Sequence, residues 1–387
     1  MKPKQDTLIV TAGRDPDAHF GVVNTPVYRA STILFPTVEA LKTRNQPYTY
    51  GRRGTPTLAA LQEAIATLEG GAKTVLTPSG LAAVTTALIA FLKTGDHLLM
   101  TDSIYGPSRH FCDTILKRNG VEVDYYDPAI GAGIAAMMKP NTRVIFAESP
   151  GSITFEVQDI PALAGAAHEG GAKVIVDNTW ASPLYFKPFE HGADVSIQAI
   201  TKYLGGHSDV MMGSITATEE AAKTVLAAHG AIGMTVAPDD VFLALRGMRT
   251  LSVRLERHMR TGLTLARWLE GRPEVAQVIH PALPSHPGHA LWRRDFTGAS
   301  GLFSIVLKPC TDAALGAMLD NLDYYGMGWS WGGFESLIVP QDLTGIRTAT
   351  TFACEGPLLR IHAGLEDPDD LIADLEAGFA RLNAANG

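Results

Sequence analysis

The spacing of apolar positions changes twice along the chain. Up to about residue 53, short apolar patches alternate with Pro, Gly, Tyr and Arg, and no period is sustained. Residues 1–53 are therefore expected to form an arm that packs on something else. Thr55-Pro56-Thr57 then opens a helix, in which Leu58, Leu61, Ile65 and Leu68 recur at helical spacing until Gly70-Gly71 stops it. Beyond it, short apolar runs at Leu98–Thr101, Val144–Ala147, Val174–Val176 and Val195–Ile197 alternate with helical stretches such as Pro107–Arg118 and Ile160–Glu169. That alternation predicts an α/β unit over residues 54–249, built on a mostly parallel sheet covered on both faces. From about residue 250 the pattern changes again. One long amphipathic helix is expected over Leu251–Leu269, then a Pro/His-rich stretch to about His289. Strand-like Gly301–Leu307 and Leu358–His362 alternate with helices, the last over Asp367–Leu382, and predict a smaller α+β domain at residues 250–387.

Composition narrows the class. With 387 residues, 46% hydrophobic and 19% charged, the chain can bury a substantial core without crosslinks. The formal net charge of −8 repels polyanions overall, so neither nucleic acid nor an anionic membrane is an expected partner. Cys112, Cys310 and Cys354 are odd in number and far apart, and read as reduced thiols. The opening MKPKQDTLIV shows no secretory signal, and no apolar run reaches the roughly 18–20 residues of a membrane span. A cytoplasmic protein is expected. No internal repeat is present.

In parallel sheets, ligands sit beyond the carboxyl ends of the strands, and most polar clusters of this half follow an apolar run. Lys202 comes just after Val195–Ile197. A desolvated ammonium loses its proton more readily and suits Schiff-base chemistry, whereas an ordinary surface lysine is the plainer reading. Asp177 ends Lys173-Val174-Ile175-Val176 and can pair with a protonated ring nitrogen; a helix cap, a turn or a Mg²⁺ ligand are its alternatives. Ser79-Gly80-Leu81 opens an Ala-rich helix, where backbone N–H groups can bind phosphate, although Ser79 also reads as a simple N-cap. Thr201 can add a hydroxyl to that phosphate. Tyr105 can stack on a planar cofactor or be an ordinary aromatic. Tyr50 and Arg52 lie in the arm, where Arg52 suits a phosphate or a solvated charge pair. Arg360, flanked by apolar residues in Leu358–His362, suits a substrate carboxylate or an internal salt bridge.

Two other features attract attention and lead elsewhere. Gly131-Ala132-Gly133-Ile134-Ala135-Ala136 looks like a dinucleotide fingerprint, but Tyr125-Tyr126-Asp127-Pro128 before it is not a clean strand, so a loop opening a helix is expected. His280, His286 and His289 sit among prolines without a neighbouring carboxylate, and a structured linker is expected rather than a metal site.

In this order, a Ser-Gly helix start, a Tyr, an Asp ending a strand, Thr-Lys-Tyr and a late Arg resemble the trans-sulfuration (Cys/Met metabolism) family of pyridoxal-phosphate enzymes. The resemblance runs from Tyr50-Gly51-Arg52-Arg53-Gly54-Thr55 to Arg360-Ile361-His362-Ala363-Gly364-Leu365-Glu366-Asp367. Within that family, Glu148-Ser149-Pro150-Gly151-Ser152-Ile153-Thr154, Gln198-Ala199-Ile200-Thr201-Lys202-Tyr203 and Ser330-Trp331-Gly332-Gly333-Phe334-Glu335-Ser336-Leu337 are similar to segments of its β-lyases. Its γ-acting members usually carry Glu-Thr-Pro-Thr-Asn-Pro at the first segment and Ser-Leu-Gly at the third. Two positions depart from the pattern: Ala199 stands where many relatives have a phosphate-binding Ser, and Trp329 where β-lyases often have Tyr.

The resemblance implies an aspartate-aminotransferase-like fold (fold type I) and pyridoxal 5′-phosphate as cofactor, with no metal. It further implies a homotetramer of paired dimers in which Tyr50 and Arg52 reach the neighbouring subunit's phosphate. Lys202, Asp177, Tyr105 and Arg360 become the expected catalytic residues. Ser79, Gly80, Leu81, Thr201, Tyr50 and Arg52 are expected to hold the cofactor, and Arg360, Ser330, Trp331 and Tyr50 the substrate. The implied reaction is β-elimination of L-cystathionine to homocysteine, pyruvate and ammonia, in methionine biosynthesis. A cysteine desulfhydrase or a methionine γ-lyase is the neighbouring alternative, and a non-catalytic regulator of the same fold the more distant one.

Overall fold

The structure, a computed structural model, describes residues 3–386. Its larger sheet has seven strands: β1 (Lys73–Thr77), β2 (His97–Thr101), β3 (Glu122–Tyr126), β4 (Thr142–Glu148), β5 (Lys173–Asp177), β6 (Val195–Gln198) and β7 (Gly213–Ala217), in spatial order β1-β7-β6-β5-β4-β2-β3. Every pairing is parallel except those of β7, which runs antiparallel to both β1 and β6.

Both faces of this sheet are buried, which explains why its strands read as continuous apolar runs rather than alternating ones. Val144, Phe146, Ile175, Val195 and Ile197 pack on one side with the helix Gly80–Phe91. Ile145, Ala147, Val174 and Val176 face the other side with the helix Ile160–Glu169. The helix begun at Thr55 forms as expected over Pro56–Glu69, with Thr55 as N-cap and Gly70 in the left-handed conformation ending it.

The chain after Met248 builds a helix over Leu251–Glu270 and a second sheet. Its strands are β8 (Val275–Ile279), β9 (Leu302–Leu307), β10 (Tyr325–Gly326), β11 (Ser336–Gln341) and β12 (Leu358–His362), ordered β10-β11-β12-β9-β8. The loop between β11 and β12 reaches across to the large sheet. Backbone N–H groups of Thr348, Ala349 and Thr350 converge on the Asp102 carboxylate at 3.0, 3.1 and 2.7 Å, and Arg109 pairs with the same group. Arg347 pairs with Glu156 at 2.7 Å. These bonds tie the smaller unit to the segments that follow β2 and β4.

Two expectations need correction. Tyr125 and Tyr126 are not loop but the end of β3, an edge strand whose Glu122 and Asp124 pair with Lys139 while Val123 and Tyr126 are buried on opposite faces of the sheet. The polar positions facing solvent hid its period. Pro107–Arg118 is not one regular helix: Gly106–Phe111 is α-helical and Cys112–Leu116 is wound as a π-helix. In the arm, a helix over Gln5–Thr11 packs on the chain itself, with Arg249 donating to the carbonyls of Ile9 and Ala12 at 2.7 and 2.9 Å.

Candidate active site

The carboxyl ends of β2, β4, β5 and β6 open onto one cleft, closed from the other side by the segment Ser330–Gly333 and by β12. Lys202 sits in the turn after β6. Its backbone N–H donates to Ala199 O at 3.0 Å, and Gly206 N–H returns to Lys202 O at 2.8 Å. Its amine donates to Ser330 Oγ at 2.6 Å and lies 5.2 Å from the centroid of the Trp331 ring. Burial and the Arg360 cation push the Lys202 amine down to about 8, against the opposing pull of Asp177. A usable fraction is therefore unprotonated near neutral pH.

Ser330 and Gly332 bring the small unit onto Lys202. Ser330 holds a positive φ of 85°, a conformation costly for a non-glycine residue, and its carbonyl accepts from Arg360 Nη2 at 3.1 Å. Gly332, at φ 86°, has no room for a side chain: a Cβ there would lie 2.9 Å from the Lys202 carbonyl carbon and the Tyr203 nitrogen. The buried His362 ring lies 3.2 Å from the Gly332 N–H. Behind Lys202, Arg254 donates to the carbonyls of Tyr203 and Gly247 at 2.8 and 2.7 Å and braces the turn.

Asp177 ends β5. Both its internal bonds fall on Oδ1, from the Thr179 N–H at 3.0 Å and the Thr179 hydroxyl at 2.5 Å. Thr179 Oγ1 in turn accepts from Ala199 N–H at 2.9 Å, which couples the end of β5 to the Lys202 turn. Burial raises the Asp177 carboxyl above its ordinary value, and only Thr179 and the Lys202 cation oppose that. Asp177 Oδ2 has no hydrogen-bond partner among the described residues. A carboxylate so placed takes a cation, and a protonated ring nitrogen satisfies it.

Tyr105 follows β2 and is 46% exposed. Its N–H donates to Glu148 Oε2 at 2.8 Å. Burial and the Asp177 anion raise its phenol, and the Arg360 cation opposes them. Arg360, in β12, shows no carboxylate within ion-pair distance among the described residues; of its two readings, the internal salt bridge is absent here and the free guanidinium remains.

The anion end of the cleft is the start of the helix Gly80–Phe91. Ser79 is its N-cap, its Oγ accepting from Ala82 N–H at 3.0 Å, which leaves the hydroxyl proton and the N–H groups of Gly80 and Leu81 for an anion. Gly80 lies against the Lys202 turn, since a Cβ there would meet Ala199 Cβ at 2.6 Å. A phosphate held by these amides, a ring cation on Asp177 and a carbonyl carbon on Lys202 match pyridoxal 5′-phosphate group by group. Thr201 behaves differently from expectation: its hydroxyl donates to Met212 O at 3.1 Å and accepts from Met212 N–H at 3.0 Å, so its proton is spent on the backbone. Tyr50 is 47% exposed on the arm, and Arg52 donates to Gly230 O at 3.0 Å; neither touches the Lys202 cluster.

Glu148 and Thr179 belong to this site without having been singled out by sequence. The rule that marked Asp177, a polar group closing an apolar strand, applies equally to Glu148. Thr179 had the Asp-x-Thr spacing of a side-chain turn as its signal. The histidines of the linker bond to backbone: His280 Nδ1 accepts from Ala282 N–H and His286 Nδ1 from Gly288 N–H.

Comparison with known proteins points to the same cofactor. The profile of the Cys/Met metabolism PLP-dependent enzyme family matches residues 6–380. The chain is 49% identical over 394 residues to a cystathionine β-lyase of Salmonella typhimurium, covering 99% of this chain and 100% of that one. It is 47% identical over 390 residues to a cystathionine β-lyase of Escherichia coli, covering 98% and 99%. The structure superposes with a TM-score of 0.92 on a cystathionine γ-synthase of Xanthomonas oryzae solved with aminoacrylate and cysteine, at 34% identity and covering 100% of both chains.

Proposed function

Because the chain belongs to the Cys/Met metabolism PLP-dependent enzyme family, we propose that it cleaves L-cystathionine by β-elimination, to homocysteine, pyruvate and ammonia. The observation that carries this reading is the Lys202 amine, lowered to about 8 and aimed into a cleft that also presents Asp177 and an unpaired Arg360. Near-full-length identity to two cystathionine β-lyases supports the substrate.

Lys202 would hold the cofactor covalently, with Asp177 on its ring nitrogen and Ser79, Gly80 and Leu81 around its phosphate. Bound there, pyridoxal 5′-phosphate supplies an aldehyde for the substrate amine and a protonated ring that withdraws electrons from Cα. Arg360 grips the α-carboxylate as a bidentate clamp and sets the Cα–H bond in line with Lys202. Freed when the substrate amine displaces it, the Lys202 amine takes the Cα proton as general base and returns a proton to the departing homocysteine sulfur as the Cβ–S bond breaks; water then hydrolyses the released enamine to pyruvate and ammonia. Ser330 Oγ, 2.6 Å from that amine, keeps it pointed into the cleft between the two transfers. Trp331 would wall the substrate side, and Tyr105 would lie against the cofactor ring.

A homotetramer completes the picture. The arm between the helix Gln5–Thr11 and Gly51 leaves Phe20, Leu34 and Val38 at 101, 84 and 68% exposure, a surface suited to a second copy. There Tyr50 and Arg52 would complete the neighbour's phosphate site, with Arg52 exchanging Gly230 O for an anion. Residues 54–249 would act as the cofactor domain and 250–387 as the substrate-side domain. The three free cysteines favour a cytoplasmic setting, and no helix among the described residues is long and apolar enough to cross a membrane.

The test is product analysis. Purified protein given L-cystathionine is expected to release pyruvate and homocysteine in equal amounts. Release of 2-oxobutyrate with cysteine would replace β- by γ-elimination, and binding without any 2-oxoacid would favour the non-catalytic reading.

A further inference from the structure

Glu148 is a second carboxylate beside the candidate site, to which the proposed chemistry gives no task. In the parallel pair of β4 and β5 it is the register partner of Asp177. Register partners point to the same face, and neighbouring strands lie about 5 Å apart. Glu148 and Asp177 thus continue the face that carries Phe146 and Ile175, side by side at the carboxyl ends of β4 and β5. The surroundings treat them unequally. Asp177 receives an N–H and a hydroxyl from Thr179 and lies near the Lys202 cation. Glu148 receives one hydrogen bond, from the Tyr105 backbone, and no cation lies within ion-pair distance of it among the described residues. Its other acidic neighbour, Glu156, is already paired with Arg347.

Two adjoining carboxylates with no cation between them do not both ionise cheaply, and the proton goes to the one with fewer donors. Burial and Asp177 accordingly hold the Glu148 carboxyl well above the usual range. We propose that Glu148 is a positioning residue: a neutral carboxylic acid that fixes Tyr105 over the cofactor site through the Tyr105 backbone amide and leaves Asp177 the sole anion of the pair. Its neutrality is what allows a second acid so close to Asp177 without competing for the ring cation. Its Oε2 anchors the turn from which the Tyr105 ring projects, three residues past Asp102 and the loop that Asp102 holds.

This inference rests on the proposed function only for its kinetic readout. Glu148→Gln keeps an acceptor oxygen for the Tyr105 N–H and mimics the neutral acid; Glu148→Ala removes the acceptor. In the holoenzyme, Ala is expected to alter the visible circular dichroism of the bound cofactor and lower kcat/KM by about 10²-fold, since misplacement of about 1 Å costs that much. Gln should restore both toward the parent. Gln as damaging as Ala would overturn the neutral-acid role, and Ala with parental dichroism would overturn the positioning role. Should Ala not fold, the Gln variant decides alone, because loss of the parental dichroism in Gln contradicts a neutral Glu148 and its retention supports it. Dichroism is read without substrate, so a different substrate assignment would change the kinetic assay and leave this result standing.

Discussion

Lys202→Ala is expected to lower turnover by about 10⁴-fold, the upper range for removing a general acid–base group that is also the covalent anchor. Three observations set that size. The amine is lowered to about 8, it points at Ser330 Oγ at 2.6 Å, and no other lysine is described against Asp177 and Arg360. The substrate-free variant should also lose the visible absorbance of a lysine-held cofactor. Loss of absorbance alone would reflect weak binding. Loss of turnover at saturating cofactor isolates proton transfer. Absorbance spectra and steady-state rates at high pyridoxal phosphate separate the two.

Asp177→Asn is expected to be the next most damaging change, for a different reason. A buried ion pair broken by removing one partner costs about 3–5 kcal/mol, which corresponds to roughly 10²–10⁴-fold in kcat/KM. The cofactor-free protein should respond the other way. Burial raises the Asp177 carboxyl, so the folded chain binds that proton more tightly than the unfolded chain. A carboxyl with a raised folded-state value subtracts stability as pH climbs through it from the ordinary carboxylate range. At neutral pH the cofactor-free Asn variant should therefore melt no lower than its parent. Melting of the cofactor-free protein and kcat/KM of the loaded one check both halves, and an unchanged kcat/KM would remove Asp177 from the ring nitrogen.

Most of the site could be read from sequence because a parallel sheet brings its strand ends together. Lys202, Asp177, Tyr105 and Ser79 each follow an apolar run, and topology alone assembles them. What could not be read depends on contacts distant in sequence. Whether Arg360 pairs internally is decided by which groups lie within about 4 Å of it, and no local pattern carries that. The bond from Lys202 to Ser330 spans 128 positions and depends on a residue held at positive φ. Its place beside Lys202 points the Thr201 hydroxyl at a phosphate, yet Met212, ten residues beyond that turn, takes it. The edge strand β3 is hard to read from sequence because its Glu122 and Asp124 are charged and Asp127-Pro128 follow it directly. Glu148 was missed although it obeys the rule that found Asp177; a lone strand-end acid has several structural readings, and its partner Tyr105 lies on another strand's loop.

Lys202 as the cofactor's covalent anchor is the claim on which the remaining roles depend. Borohydride reduction of the cofactor-loaded protein, followed by peptide mass mapping, tests it directly. A phosphopyridoxyl group is expected on the peptide containing Lys202 and on no other lysine. A label on a different lysine, or none on a protein that retains turnover, would contradict it.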